Sequence, residues 1–118
     1  MDLISKLRSL LLKHPEVVFN RTQIAIMISN VFNNDKTKLL MIAYDSGIVK
    51  RICANFSITN KEIDQLIENL RIERKITDYT EAHWTVTVWV KCLNRVVIEK
   101  IKQIKNNKNT MNDSAWDN

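Results

Sequence analysis

The sequence predicts an all-α fold: a compact bundle of five or six helices that ends in a long C-terminal helix. The 118 residues include a single Gly and a single Pro, which leaves little turn chemistry for a many-stranded sheet. The longest apolar run begins at residue 82 and repeats with helical spacing, so its side chains share one face. A chain of this length is expected to form one domain with a real core.

The first half of the chain carries helix start and stop signals at regular intervals. Asp2 can cap a first helix, which Pro15 ends. Asn20, followed three residues later by Gln23, resembles a capping box for a second helix over residues 21–32. These signals frame apolar stripes of helical period, so two helices are predicted before residue 33.

Three further helices are predicted from the middle of the chain. Asp35 can cap a third helix, and Gly47 is expected to end it in a left-handed conformation that costs other residues energy. A short fourth helix is predicted over residues 48–56. Thr59 and Glu62 then form a capping box for a fifth helix.

The last predicted helix contains two of the three tryptophans and extends to about residue 105. Thr77, Asp78 and Thr80 offer N-caps for it. The alternation in residues 85–90, TVTVWV, is typical of a strand, but the stripe continues past it and no second strand is available for pairing. The predicted core groups this stripe with other helices: Leu7, Leu40, Leu66, Val86, Trp89 and Leu93. Residues 1–106 are predicted to form the helical domain and 107–118 a disordered polar tail.

Three short motifs resemble a small helical domain that recurs, fused to varied partners, in bacterial multidomain proteins. The matching residues are Leu7, Arg8, Leu10, Leu11, Pro15 and Glu16, then Ala43, Gly47 and Ile48, then Ala82, Trp84, Val86, Trp89 and Leu93. The resemblance covers roughly residues 3–96. It implies an interaction or adaptor role without an established catalytic activity, and this chain adds a basic extension after Arg95.

The residues offer little for catalysis, and an enzyme is not expected. His14 and His83 lack metal-ligand companions one turn away, and no glycine-rich phosphate loop occurs. We therefore expect no metal, no cofactor and no small-molecule substrate. Cys53 and Cys92 lie in apolar contexts and are expected to be reduced, buried thiols of a cytoplasmic protein. No apolar run approaches the roughly 20 residues of a membrane span.

A protein-binding surface is predicted on the side of the last helix that lies opposite the core stripe. Its members are Trp84, Val88, Lys91 and Arg95, which recur at helical spacing. An indole with aliphatic support and a cationic rim resembles an interface hot spot. The alternative is that another helix of the same chain, such as the first, covers Trp84.

The basic extension offers a second kind of contact. Lys100, Lys102, Lys105 and Lys108 are opposed in that span only by Glu99. Lysines suffice for phosphate contact, and the net charge of +5 permits it, although aromatic residues for base stacking are missing there. Lysines near a helix C-terminus also suit the helix dipole without any ligand.

Two functions follow from these patterns. The first is a non-catalytic protein–protein interaction module, as in a small bacterial or phage-type adaptor or inhibitor, which binds another protein or itself. The alternative is nucleic-acid binding, through the lysines or through a winged helix-turn-helix formed by residues 56–70 with residues 76–90 as the wing. The winged form requires strands where we predict a helix.

Overall fold

The computed structural model describes residues 2–54, 58–73 and 75–107, and its regular elements are all helical. The all-α prediction is therefore confirmed. The seven helices of the described residues are α1 (Leu3–Lys13), α2 (Arg21–Ser29), α3 (Asn34–Asp45), α4 (Ile48–Cys53), α5 (Asn60–Ile72), α6 (Tyr79–Cys92) and α7 (Arg95–Asn107), and a short 3-10 helix occupies Pro15–Phe19. Phe56 and the tail from residue 108 onwards, which carried predictions, lie outside the described residues.

Side-chain caps start most helices, as the sequence predicts. The Asp2 carboxylate accepts a hydrogen bond from the Ser5 backbone N–H at 2.8 Å, and the Asp78 side chain accepts one from the Glu81 N–H at 2.9 Å. Thr59 forms a complete capping box with its partner three residues later. Each cap satisfies a backbone donor that the first helical turn leaves unpaired.

Two predicted boundaries in the first half are wrong by a few residues. α2 ends at Ser29 rather than at residue 32. α3 is capped by Asn33 rather than Asp35, because the Asn33 side chain accepts a 2.9 Å hydrogen bond from the Lys36 N–H. Asparagine caps helices about as well as aspartate, and Asn33 lies only two positions before Asp35. The residue types alone therefore do not decide which of the two is the cap.

Gly47 joins α3 to α4 in the left-handed conformation that the sequence predicts, with φ of 88°. A Cβ at this position would meet no atom within 4 Å. The requirement for glycine is therefore conformational and not steric, because L-residues avoid this region of the backbone map.

The core is organised around α6, which packs against α1, α3, α4 and α5. Trp89 is fully buried, and its indole N–H donates to the Leu40 carbonyl of α3 at 3.1 Å. The burial predicted for six core residues is confirmed for Leu7, Leu40, Leu66, Val86, Trp89 and Leu93. The large apolar side chain of Trp89 and its satisfied polar atom fix α6 against α3.

The predicted long C-terminal helix is wrong in one respect, because it is broken into α6 and α7. Leu93 departs from helical geometry with φ −95° and ψ 65°. The Asn94 side chain accepts a hydrogen bond from the Val97 N–H at 3.0 Å and so begins a new helix. The apolar stripe continues across the break because Leu93 and Val97 both remain buried, which is why periodicity alone does not reveal the break.

Candidate functional site: the Trp84 groove

A surface groove of about 580 Å³ lies where α1, α3 and α6 meet. We call it the Trp84 groove, and its defining residues are Leu3, Arg8, Phe32, Lys36, Trp84 and Lys91. Three helices and the turn before α3 contribute to its walls. Its shape therefore depends on the tertiary packing of segments that are far apart in the sequence.

Trp84 is half-buried in the wall of the groove and is held by contacts on its ring. The Phe32 ring meets it in a T-shaped arrangement, with centroids 5.8 Å apart and an interplanar angle of 86°. The Lys36 Nζ lies 4.4 Å from the Trp84 ring centroid. Edge-to-face packing and a cation–π contact both favour this orientation, so the indole is ordered in the isolated protein.

Arg8 connects the other end of the groove to α6. Its Nε and Nη2 atoms both donate to the backbone carbonyl of Lys91, at 3.0 and 2.9 Å. That carbonyl lies in the last turn of α6, where carbonyl groups have no partner within the helix. The guanidinium thus stabilises the end of α6 and is itself fixed in place.

Cations dominate the polar lining of the groove. Among the described residues that line the groove, Arg8, Lys36 and Lys91 carry positive charges and Asp2 is the only carboxylate. The Asp2 carboxylate already accepts hydrogen bonds from the Ser5 backbone N–H and hydroxyl, which hold the pKa of Asp2 below its usual value. The groove therefore combines an aromatic and aliphatic floor with a positive rim.

The structure brings together two of the four residues predicted for the protein-binding surface. Trp84 and Lys91 both line the groove. The prediction that Val88 lies on that surface is wrong, because Val88 is only 1% exposed. α1 packs against this side of α6, as shown by the Cys92 Sγ atom 3.6 Å from the Ile4 carbonyl oxygen.

Arg95 is displaced from the predicted surface by the break before α7. The prediction placed Arg95 beside Trp84 on one uninterrupted helix, whereas Arg95 is the first residue of α7. There its side chain is largely exposed, and its Nε atom lies 3.6 Å from the Oε2 atom of Glu99, one turn further along α7.

Four of the six residues that define the groove were not predicted as site residues: Leu3, Arg8, Phe32 and Lys36. Arg8 is part of the motif that resembles the bacterial domain, but nothing in the sequence shows that it reaches Lys91, 83 positions away. Phe32 and Lys36 flank the start of α3 and contact Trp84 only through tertiary packing. Local periodicity carries no information about such pairings.

The lysines predicted for nucleic-acid contact do not form one stripe on α7. At about 100° per residue, Lys102 and Lys105 lie roughly 60° apart, whereas Lys100 lies at least about 140° from either. Lys102 and Lys105 line a separate depression of about 350 Å³ together with Lys50 of α4. Lys108 lies outside the described residues.

The winged form of the nucleic-acid alternative does not match the structure. Residues 79–92, which include most of the proposed wing, form helix α6. The alternative is therefore reduced to contact through the basic residues.

Both cysteines are buried free thiols, as predicted. Burial raises the pKa of Cys53 and of Cys92 to about 12. A thiol in such surroundings stays protonated at neutral pH and reacts slowly.

Residues 2–54, 58–73 and 75–107 contain neither a metal-binding cluster nor a membrane-spanning helix. No group of three or more His, Cys, Asp or Glu side chains there is arranged to hold a metal ion. None of the helices in these ranges combines the length and the apolar character that crossing a bilayer requires.

Comparisons of the chain with protein-family models, with curated proteins and with solved structures found no match. The resemblance to the recurring bacterial domain therefore stays a prediction.

Proposed function

We propose that the protein is a non-catalytic protein–protein interaction module that binds its partner through the Trp84 groove. The observation that carries this proposal is the partly exposed indole of Trp84, ordered by Phe32 and Lys36 before any partner arrives. Tryptophan dominates the binding energy of interfaces when a partner encloses it. An indole that is already ordered loses little conformational freedom on binding.

The surroundings of the groove favour a protein ligand over a small molecule. Leu3 is 48% exposed at the edge of the groove and extends the apolar area beyond it. Lys91, which also lines the groove, is exposed. An apolar centre with charged residues around it is the usual composition of a protein interface. An adaptor or inhibitor of bacterial or phage type, acting in the cytoplasm, is the role the sequence predicts for such a module.

The test compares Trp84→Ala with Tyr79→Ala by affinity capture from the native host, with partners identified by mass spectrometry. Tyr79 is a matched control because it is an aromatic residue of the same helix, 50% exposed, and lies outside the groove. We expect Trp84→Ala to lose the partner while its free energy of unfolding falls by about 1 to 2 kcal/mol, since only part of the ring is buried. Tyr79→Ala should retain the partner.

Retention of the same partner by a folded Trp84→Ala variant would show that the groove is not the binding surface. Thermal unfolding of both variants separates loss of binding from loss of structure. Sedimentation of the wild-type protein distinguishes a foreign partner from self-association, because a chain that binds itself sediments as an oligomer without any other protein. That oligomer should be lost in Trp84→Ala.

Nucleic-acid binding is the second candidate, and the clustering of Lys50, Lys102 and Lys105 around one depression favours it. We expect weak, nonspecific binding of a 20-base-pair DNA duplex that falls steeply with salt. The double variant Lys102→Gln/Lys105→Gln should weaken it more than Lys100→Gln, which lies on another side of α7. Submicromolar, sequence-dependent binding at physiological salt would instead favour nucleic acid over protein as the principal ligand.

A further inference from the structure

We infer that the segment that occupies the Trp84 groove is an acidic peptide segment of the partner, with a bulky apolar side chain flanked by Asp or Glu. This inference rests on the proposed function and adds the chemistry of the ligand. Two properties of the groove lead to it: the apolar surface at its centre and the sign of the charge around it.

The apolar surface defines the central residue of the ligand. Trp84 and Phe32 form an aromatic corner, and Leu3 extends it at the margin. A groove of about 580 Å³ accommodates one or two large side chains, but not a folded domain. A bulky apolar side chain on a short segment fits this surface.

The charges define the residues that flank it. Arg8 and Lys36 are held in place by the Lys91 carbonyl and the Trp84 ring, so their positive charges are fixed before binding. The two bonds that Arg8 makes to Lys91 involve two of the five N–H donors that a guanidinium carries. Carboxylates on both sides of an apolar residue would meet Arg8 and Lys36, and Lys91 adds a third cation at the margin. Cations fixed in this way lose less freedom on binding a carboxylate than mobile ones do.

The position of Asp2 favours a peptide over a nucleic-acid backbone. Its carboxylate lines the same groove and, because Ser5 stabilises its charged form, it remains ionised at neutral pH. A continuous row of phosphates would be repelled there, whereas the charges of a peptide are separated by neutral residues. The Leu3, Phe32 and Trp84 surface also has no role in phosphate contact.

The experiment uses three arrays of fluorescein-labelled 12-residue peptides that share the same central Leu, Phe or Trp residues. The flanking residues are Glu and Asp in the acidic array, Lys in the basic array and Ser in the neutral array. Binding to the full chain is measured by fluorescence anisotropy. We expect members of the acidic array to bind at least tenfold more tightly than their basic and neutral counterparts, and to weaken as salt rises. The double variant Lys36→Gln/Lys91→Gln should lose at least tenfold in affinity, and Lys100→Gln, outside the groove, should lose less than twofold.

Several results would overturn the inference. One is equal binding of the basic or neutral array, and another is the absence of binding by every acidic peptide. Competition by a 20-base-pair DNA duplex for the same site would assign the groove to an anionic polymer.

Capture of the host partner separates failure of the acidic-peptide inference from failure of the proposed function. A partner lost by Trp84→Ala but retained by Lys36→Gln/Lys91→Gln refutes the acidic ligand alone, and a partner retained by Trp84→Ala refutes the groove itself.

Discussion

Trp84 and Trp89 lie five positions apart on α6, about 140° apart around the helix, and their surroundings differ sharply. Trp89 is fully buried, and its N–H group is bonded to the Leu40 carbonyl. Trp84 is half-buried and is ordered by a neighbouring ring and a lysine side chain. The same residue type on the same helix is thus part of the core in one case and part of a surface in the other.

The buried face of α6 is wider than its core stripe, and the groove lies along one edge of that face. Even Thr85 is fully buried, with its hydroxyl donating to the Glu81 carbonyl at 2.7 Å. Val88 and Cys92 are buried on the side facing α1. Exposure along α6 is therefore set by where α1 and α3 stop covering it and not by the apolar period of α6 itself.

The largest expected effect concerns the closed side of α6. Trp89→Ala should lower the free energy of unfolding by about 3 to 5 kcal/mol, because it leaves a cavity and a Leu40 carbonyl without its partner. Urea denaturation followed by circular dichroism measures it. Trp89→Phe, which keeps most of the ring but lacks the N–H group, should lose less.

The distinction between the two sides would be contradicted if Trp89→Ala lowered the free energy of unfolding by less than about 1 kcal/mol, and by no more than Trp84→Ala does. Equal losses for Trp89→Ala and Trp89→Phe would show that the hydrogen bond to Leu40, and not ring burial, fixes α6 against α3.

Thiol chemistry compares the two sides of α6 without removing either tryptophan. Cys92 is fully buried, and burial raises its pKa to about 12, whereas a free thiol has a pKa of about 8.5. In a Cys53→Ala background we expect Cys92 to react with iodoacetamide at pH 8 about 2000-fold more slowly than a free thiol, because its thiolate fraction is lower by that factor.

Lys91, the residue before Cys92, serves as the control position. Lys91 is exposed at the groove, so a Lys91→Cys variant with both native cysteines replaced by Ala should react within about threefold of a free thiol. Mass spectrometry at successive times measures both rates. Rapid labelling of Cys92 in the folded protein would mean that the α1 side of α6 opens as readily as the groove.

The smallest effect concerns the end of α6. Asn94→Ala removes the cap of α7 and should lower the free energy of unfolding by about 1 kcal/mol. Asn94→Asp, which retains the capping oxygen, should lose less than half of that. An unchanged stability of Asn94→Ala would show that the Asn94 cap does not stabilise the start of α7.

Much of the fold could be predicted because its signals are local. The caps at Asp2, Thr59 and Asp78, and the left-handed Gly47, act within a few residues of their own positions. The break between α6 and α7 was missed although Asn94 is a good capping residue, because the apolar stripe on either side kept its period.

The groove could be predicted only in part, for the same physical reason. Trp84 and Lys91 share α6, so helical spacing placed both on one side. Arg8 and Lys36 arrive from α1 and α3, and their contacts with α6 depend on packing between distant segments. Val88 was misplaced because the coverage of α6 by α1 is likewise a tertiary property.

The bond from Arg8 to Lys91 also sets an order of events during synthesis. Arg8 leaves the ribosome 83 residues ahead of its acceptor, a delay of roughly 4 to 17 seconds at about 5–20 residues per second. During that time Leu7 and Leu11 of α1, fully buried in the finished fold, have no α6 to pack against. The part of the apolar surface of α1 that packs against α6 therefore stays uncovered until late in translation, which makes this segment a natural site for chaperone binding, and the groove forms only after α6 has emerged.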